Sequence, residues 1–217
     1  MSGRDARVRP LRLVVLISGG GRTLMNLVDN IEAGTLAARV ERVIASRGDA
    51  PGVERARARG LDVRVAARAD FPDEASMHDQ IDAWIDEVDP DLVCLAGYLR
   101  KIRMRPALEG RVINIHPALL PDFGGQGMYG VRVHEAVIAA GCRETGCTVH
   151  FVDEQYDHGP TILQRRCEVR PADDVDTLAA RVFEEECRAY PEAINRLARG
   201  EIRWEDGRVV AASDARA

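Results

Sequence analysis

Leu13-Val14-Val15-Leu16-Ile17 is an unbroken apolar run that passes straight into Ser18-Gly19-Gly20-Gly21, and from Thr23 the apolar residues recur at Leu24, Leu27, Val28 and Ile31 before Gly34. A run of strand length without polar alternation is buried on both faces, whereas a spacing of three and four residues is one stripe of a helix, here stopped by glycine. Strand, glycine loop and helix together open a parallel α/β sheet, because parallel neighbours need a crossover between them. The pattern repeats. It predicts further strands over 41–45, 62–66, 91–95, 111–115, 147–152 and 162–169, and helices over 52–59, 76–87, 134–140 and 176–199. Pro191 is expected to kink or split the last helix, since proline lacks the N–H that the helix ladder needs. Glu205-Asp206-Gly207 lies between two short β-prone runs and predicts a terminal hairpin. The expected fold is therefore α/β: a doubly wound, mainly parallel sheet with helices on both faces and a C-terminal hairpin. In such a sheet ligands bind beyond the carboxyl ends of the strands.

A content of 46% hydrophobic and 30% charged residues over 217 positions suits one globular domain and excludes a disordered chain. We expect a disordered basic leader over 1–10, a single domain over 11–204, and a hairpin end with a frayed tail over 205–217. A formal charge of −5 gives no bulk attraction for a polyanion, so nucleic acid is not an expected partner. The apolar runs are far shorter than the ~20 residues of a membrane-spanning helix, so no membrane is expected either. Five cysteines, odd in number and without a C-x-x-C pair, read as reduced thiols and place the protein in the cytoplasm. The five histidines show no i, i+4 pair, and no metal is expected.

Three stretches carry chemistry. Ser18 to Thr23 offers backbone amides at a helix N-terminus, suited to a phosphate, although glycines there also serve merely to turn the chain. With Leu24 where a third glycine would stand, the loop is a poor dinucleotide fingerprint. In Arg111 to Asp122, RVINIHPALLPD, Asn114 and His116 are two positions apart on one strand and so share a face. An amide donor and an imidazole at a strand terminus suit acyl transfer; the same pair also serves to tie down a loop. In TVHFVDEQYDHGP, Asp157 follows a predicted strand, where a carboxylate can hold an imidazole in its charged form. On that basis Asp157 is expected to raise the pKa of His116 and keep it protonated at neutral pH. Gly21→Val is expected to block the phosphate approach without unfolding the chain.

Together these stretches resemble the folate-dependent formyltransferases, over a span from about Leu11 to Trp204. The resemblance rests on VVLISGGGRTL, on NIHPALLP, which is similar to the family's NIHPSLLP, and on the acidic loop HFVDEQYDHGP. It implies a Rossmann-like formyltransferase fold and a direct attack, through a tetrahedral intermediate, that moves a formyl group from 10-formyltetrahydrofolate to the amine of glycinamide ribonucleotide. The donor is then a cosubstrate, the setting purine biosynthesis, and no metal takes part. By the same resemblance Asn114, His116 and Asp157 are catalytic, and Gly21, Arg22 and Thr23 hold the substrate phosphate. Glu186 contacts the ribonucleotide, while Leu99, Arg100, Lys101 and Ile102 line the folate site with Asp153, Glu154, Gln155 and Tyr156. The chain departs from the family pattern at Gly20, Arg22 and Thr23, at Cys187 and at Glu74, and in the length of the glycine-rich loop after Pro121.

Overall fold

A computed structural model describes residues 9–212, so most of the expected leader and the end of the expected tail lie outside the described residues. In chain order the elements are β1 (Leu11–Ile17), α1 (Arg22–Glu32), β2 (Ala38–Ala45), α2 (Pro51–Ala58), β3 (Val63–Val65), α3 (Glu74–Val88) and β4 (Leu92–Leu95). There follow β5 (Val112–His116), α4 (Val131–Ala139), β6 (Glu144–Phe151), β7 (Thr161–Glu168), α5 (Val175–Ala198) and the hairpin β8 (Ile202–Glu205) with β9 (Arg208–Ala211).

Seven strands form one sheet in the order β3-β2-β1-β4-β5-β6-β7. The first five are parallel, while β6 runs antiparallel to β5 and β7 antiparallel to β6. Alternate residues of β1 enter two separate cores. Leu13, Val15 and Ile17 pack with α1, α2, α4 and α5, whereas Val14 and Leu16 pack with Met77, Ile81 and Ile85 of α3. That two-sided burial is why β1 reads as a continuous apolar run. Between β1 and β4 the strand order reverses, which opens a crevice at their carboxyl ends. The glycine loop after β1 and residues 96–102 after β4 form its two lips. They are joined where the Ser18 amide donates to the Gly97 carbonyl at 3.1 Å and the Leu99 amide donates to Ser18 Oγ at 2.9 Å.

The structure also corrects the expected boundaries. Strand β6 begins at Glu144 rather than 147, because Glu144, Thr145 and Gly146 pair with Glu168, Cys167 and Arg166 of β7 and the ladder overrides the weak β-propensity of the glutamate and glycine. Helix α3 begins at Glu74, ahead of the expected start, because Asp73 caps it by accepting the Ser76 amide at 2.7 Å. Helix α4 begins at Val131, three residues early. Pro191 does not split α5, which runs unbroken from Val175 to Ala198. The carbonyl four residues back, that of Cys187, has lost its N–H partner to the proline, and Asn26 Nδ2 of α1 donates to it at 3.0 Å. Further along α5 the buried Tyr190 hydroxyl lies 3.0 Å from the Leu95 carbonyl and 3.1 Å from that of Ile113, fixing β4 and β5 where the site begins.

Candidate active site

The crevice deepens into a cavity of about 650 Å³. Its walls include Leu99 to Ile102 after β4, Asn114 and His116 of β5, Gly125 to Gly130, Asp153 and Gln155 to Asp157, and Glu186 of α5. Arg22 and Thr23 line it as well, and Gly21 lines an adjoining hollow of about 210 Å³ that shares both residues. Of the residues singled out in the sequence, Glu154 alone lines neither space; it is exposed.

At the middle of the cavity Asn114, His116 and Asp157 converge. Asn114 and His116 face the same way because β5 alternates, and they stand opposite His150 and Thr148 of β6. Asp157, in the left-handed region at φ 54°, turns back from the loop after β6. Its Oδ2 lies 3.4 Å from His116 Nδ1 and accepts the Gly125 amide at 3.0 Å, while its Oδ1 lies 3.4 Å from Asn114 Nδ2. His116 Nε2 donates to the Phe123 carbonyl at 2.8 Å, so any second ring proton must sit on Nδ1, facing Asp157. His150 Nδ1 donates to the Phe151 carbonyl at 2.8 Å, and its Nε2 lies 3.2 Å from Asn114 Nδ2 and 3.6 Å from Asp157 Oδ1. The Asn114 amide is thereby oriented nitrogen-first toward the acid. Below this centre Thr148 Oγ1 donates to Ala118 O at 2.7 Å and accepts from the Leu120 amide, pinning the HPALLP turn.

The electrostatics overturn one expectation. Burial lowers the pKa of His116, and although the Asp157 carboxylate pulls upward, the imidazole remains below its ordinary value. His116 is 3% exposed, and at that depth the cost of removing an imidazolium from water exceeds the gain from one carboxylate. Burial acts on Asp157 in the opposite sense, but His150, His116 and the Gly125 amide together hold its carboxyl below the usual range. The centre of the free protein thus pairs an ionised Asp157 with a neutral His116. The pKa of His134 of α4, also buried and lining the cavity, is lowered by burial and by His116, and its Nδ1 has no hydrogen-bond partner among the described residues.

A consequence for stability follows. Both imidazoles bind protons less readily folded than unfolded, so their contribution is complete above the unfolded value of about 6.5 and is lost as pH falls through the folded values. The depressed Asp157 acts only below about 3.9, outside that window. The buried Glu186 carboxyl, at about 7, titrates in the same window with the opposite sign, so the test is made in a Glu186→Gln background, where the urea midpoint is expected to be flat between pH 7.5 and 8.5 and to fall from about pH 6.5 toward 5.5. A midpoint that rises on acidification would restore the raised His116 pKa expected from the sequence.

At one end of the cavity α1 starts immediately after Gly21, whose φ of 70° is left-handed, and its first amides have no intrahelical partner. The Arg22 guanidinium stacks 3.7 Å over the Phe183 ring. Glu186 lines the cavity, and burial pushes its carboxyl up to about 7, against the pull of Arg22. At the other end Leu95, Leu99, Ile102 and Val152 make an apolar wall. The nearby Tyr98 hydroxyl is buried with no hydrogen-bond partner among the described residues, and burial pushes its pKa up to about 12. Sequence reasoning missed His150, the Gly125 amide and the Phe123 carbonyl as parts of this centre. The first was legible in principle, two positions along the strand from Thr148; the backbone groups have no side-chain signature. Among the described residues no three His, Cys, Asp or Glu side chains stand close enough to hold a metal ion, and no helix is long and apolar enough to cross a membrane.

A crevice of this kind, with a glycine loop, an apolar wall and a carboxylate, imidazole and amide around one cavity, has counterparts among known proteins. Residues 11–194 match the family described as formyl transferase. The chain belongs to the formyl transferase family. Within it, the phosphoribosylglycinamide formyltransferase of Haemophilus influenzae is 34% identical over 90% of this chain and 91% of its own length. The chloroplastic protein of that name from Vigna unguiculata is 40% identical over 91% of this chain, which spans 64% of that protein, and thus less than two thirds of it. Among solved formyl transferases, glycinamide ribonucleotide transformylase 1 from Symbiobacterium toebii superposes with a TM-score of 0.86 at 38% identity, covering 97% of this chain and 98% of that one. A formyltetrahydrofolate deformylase from Pseudomonas syringae, at 20% identity and a TM-score of 0.82, shares the fold.

Proposed function

We propose that this formyl transferase moves the formyl group of 10-formyltetrahydrofolate to the primary amine of glycinamide ribonucleotide, in the cytoplasm and within one domain over 11–204. The observation that carries the reading is the meeting of Asn114, His116 and Asp157 between a glycine loop and an apolar wall in one cavity. The names of relatives at 34% to 40% identity support it. The loop of Gly21, Arg22 and Thr23 takes the phosphate on its amides, and Glu186 faces the ribonucleotide. The segment Leu99 to Ile102, beside the apolar Leu95 and Val152 and with Asp153, Gln155 and Tyr156, takes the flat pterin end of the donor.

The amine lone pair attacks the formyl carbon, the C=O becomes a C–O⁻, and the new nitrogen carries an excess proton. Asn114 Nδ2, held only loosely to Asp157 at 3.4 Å, turns its N–H to the oxyanion. His116, neutral beforehand, takes the excess proton on Nδ1, where the resulting imidazolium meets the Asp157 carboxylate. It returns that proton to the folate nitrogen as the C–N bond to the donor breaks, so one proton passes from the attacking to the leaving nitrogen. A neutral resting His116 suits this role better than the protonated one expected from the sequence.

Following folate absorbance with glycinamide ribonucleotide, water or a tRNA as acceptor tests the proposal. Ribonucleotide-dependent conversion of the donor is expected. Donor consumption at the same rate without ribonucleotide would make the protein a deformylase instead.

A further inference from the structure

The wall from Leu99 to Ile102 belongs to no helix or strand; the chain from Gly97 to Arg105 has no regular structure. A wall of this kind keeps a fixed shape only if other elements hold it. At its start the Leu99 amide donates to Ser18 Oγ at 2.9 Å, and Ser46 Oγ fixes that serine at 2.7 Å. At its end Arg103 and Arg105 turn back onto α3 and converge on Asp82. Arg103 Nε donates to Asp82 Oδ2 at 2.9 Å and its Nη2 adds a second bond, while Arg105 Nε lies 3.4 Å from Oδ1.

Arg103 Nη2 also reaches Asp79, and Arg105 Nη2 reaches Asp86. Those carboxylates are 68% and 61% exposed, against 10% for Asp82, so solvent screens them far more. Asp82 also differs in being shared by both arginines. Residues 79, 82 and 86 fall on one face of α3 by the i+3 and i+4 rule, opposite a segment in which Arg100, Lys101, Arg103 and Arg105 repel one another. Ile102, between the two ties, is buried among the α3 side chains.

We infer that Asp82 is a positioning residue for the donor site: through Arg103 and Arg105 it sets where Leu99 to Ile102 stand, and with them the affinity for the folate donor, touching neither substrate. The inference rests on the reading of that wall as the folate site. Titration calorimetry with tetrahydrofolate on the wild-type protein comes first, and absence of binding would overturn that reading and this inference together. Given binding, Asp82→Asn, which keeps the shape and removes the charge, is expected to raise the tetrahydrofolate Kd and the donor KM by about tenfold, equivalent to 1.4 kcal/mol. The ribonucleotide KM and kcat are expected to stay within about twofold, a split that a general loosening of the fold would not produce. Asp82→Glu should recover part of the loss, and the exposed Asp79→Asn should show none. If Asp82→Asn fails to fold, Arg103→Gln, which removes the bonds from the other side, is measured in the same way. An unchanged tetrahydrofolate Kd in the folded variant, or equal losses for both substrates, would overturn the inference while leaving the proposed function intact.

Discussion

Asn114→Ala is expected to lower kcat by about 10² to 10³ while changing either KM little, the effect typical of removing one oxyanion donor. The reason lies in when the donor matters. The ground-state formyl oxygen is a weak acceptor, whereas the tetrahedral oxygen carries a full charge, so the interaction grows along the reaction path. The fold should survive. Asn114 is half-buried, and its loss takes one partner from each of His150 Nε2 and Asp157 Oδ1, a cost of about 1 to 3 kcal/mol. Steady-state kinetics beside a urea titration separates the two effects. Near-normal turnover in the folded variant would reduce Asn114 to a strut between His150 and Asp157, and the oxyanion would then need another donor.

Gly21→Val is expected to destabilise the protein by about 2 to 5 kcal/mol, summing a left-handed backbone forced on a branched residue and the overpacking of a tight contact. The sequence alone led to the opposite expectation, a folded variant with weakened ribonucleotide binding. Two facts overturn it: φ at Gly21 is 70°, and a Cβ built there would lie 2.9 Å from the Gly52 Cα, backbone that cannot swing aside. Gly20 has an ordinary φ, and its nearest neighbour would be the tip of Arg55 at 3.6 Å, so Gly20→Ala is the substitution that probes the phosphate approach on an intact fold. A Gly21→Val midpoint within about 0.5 kcal/mol of wild type, in the range of ordinary surface changes, would show that the glycine loop tolerates the strain.

The strands and most helices were legible because hydrophobic periodicity reports which faces are buried, and here the buried faces are those of one sheet between two layers. Asn114 and His116 were legible as a pair because two residues on a strand always face alike. The reach of Asp157 back to His116 across forty-one positions is a property of the β6–β7 turn, which no spacing rule encodes; there the family resemblance did what local pattern could not. The sign of the His116 shift was illegible for another reason. The sequence shows that a carboxylate is available, but the balance between attraction and desolvation depends on depth, and depth belongs to the assembled core. Pro191 failed as a helix breaker for a similar cause, since the acceptor it orphans finds its donor on an element 161 positions earlier in the chain.

That repair ties the fate of the first helix to that of the last. The Asn26 amide fills the gap in α5 from α1, the helix that begins at the glycine loop, so α5 cannot fray past its proline without releasing α1. In native-state hydrogen exchange the two helices should therefore open as one cooperative unit rather than as separate ends. The glycine loop then takes part of its rigidity from a helix that the ribosome makes long after the loop itself.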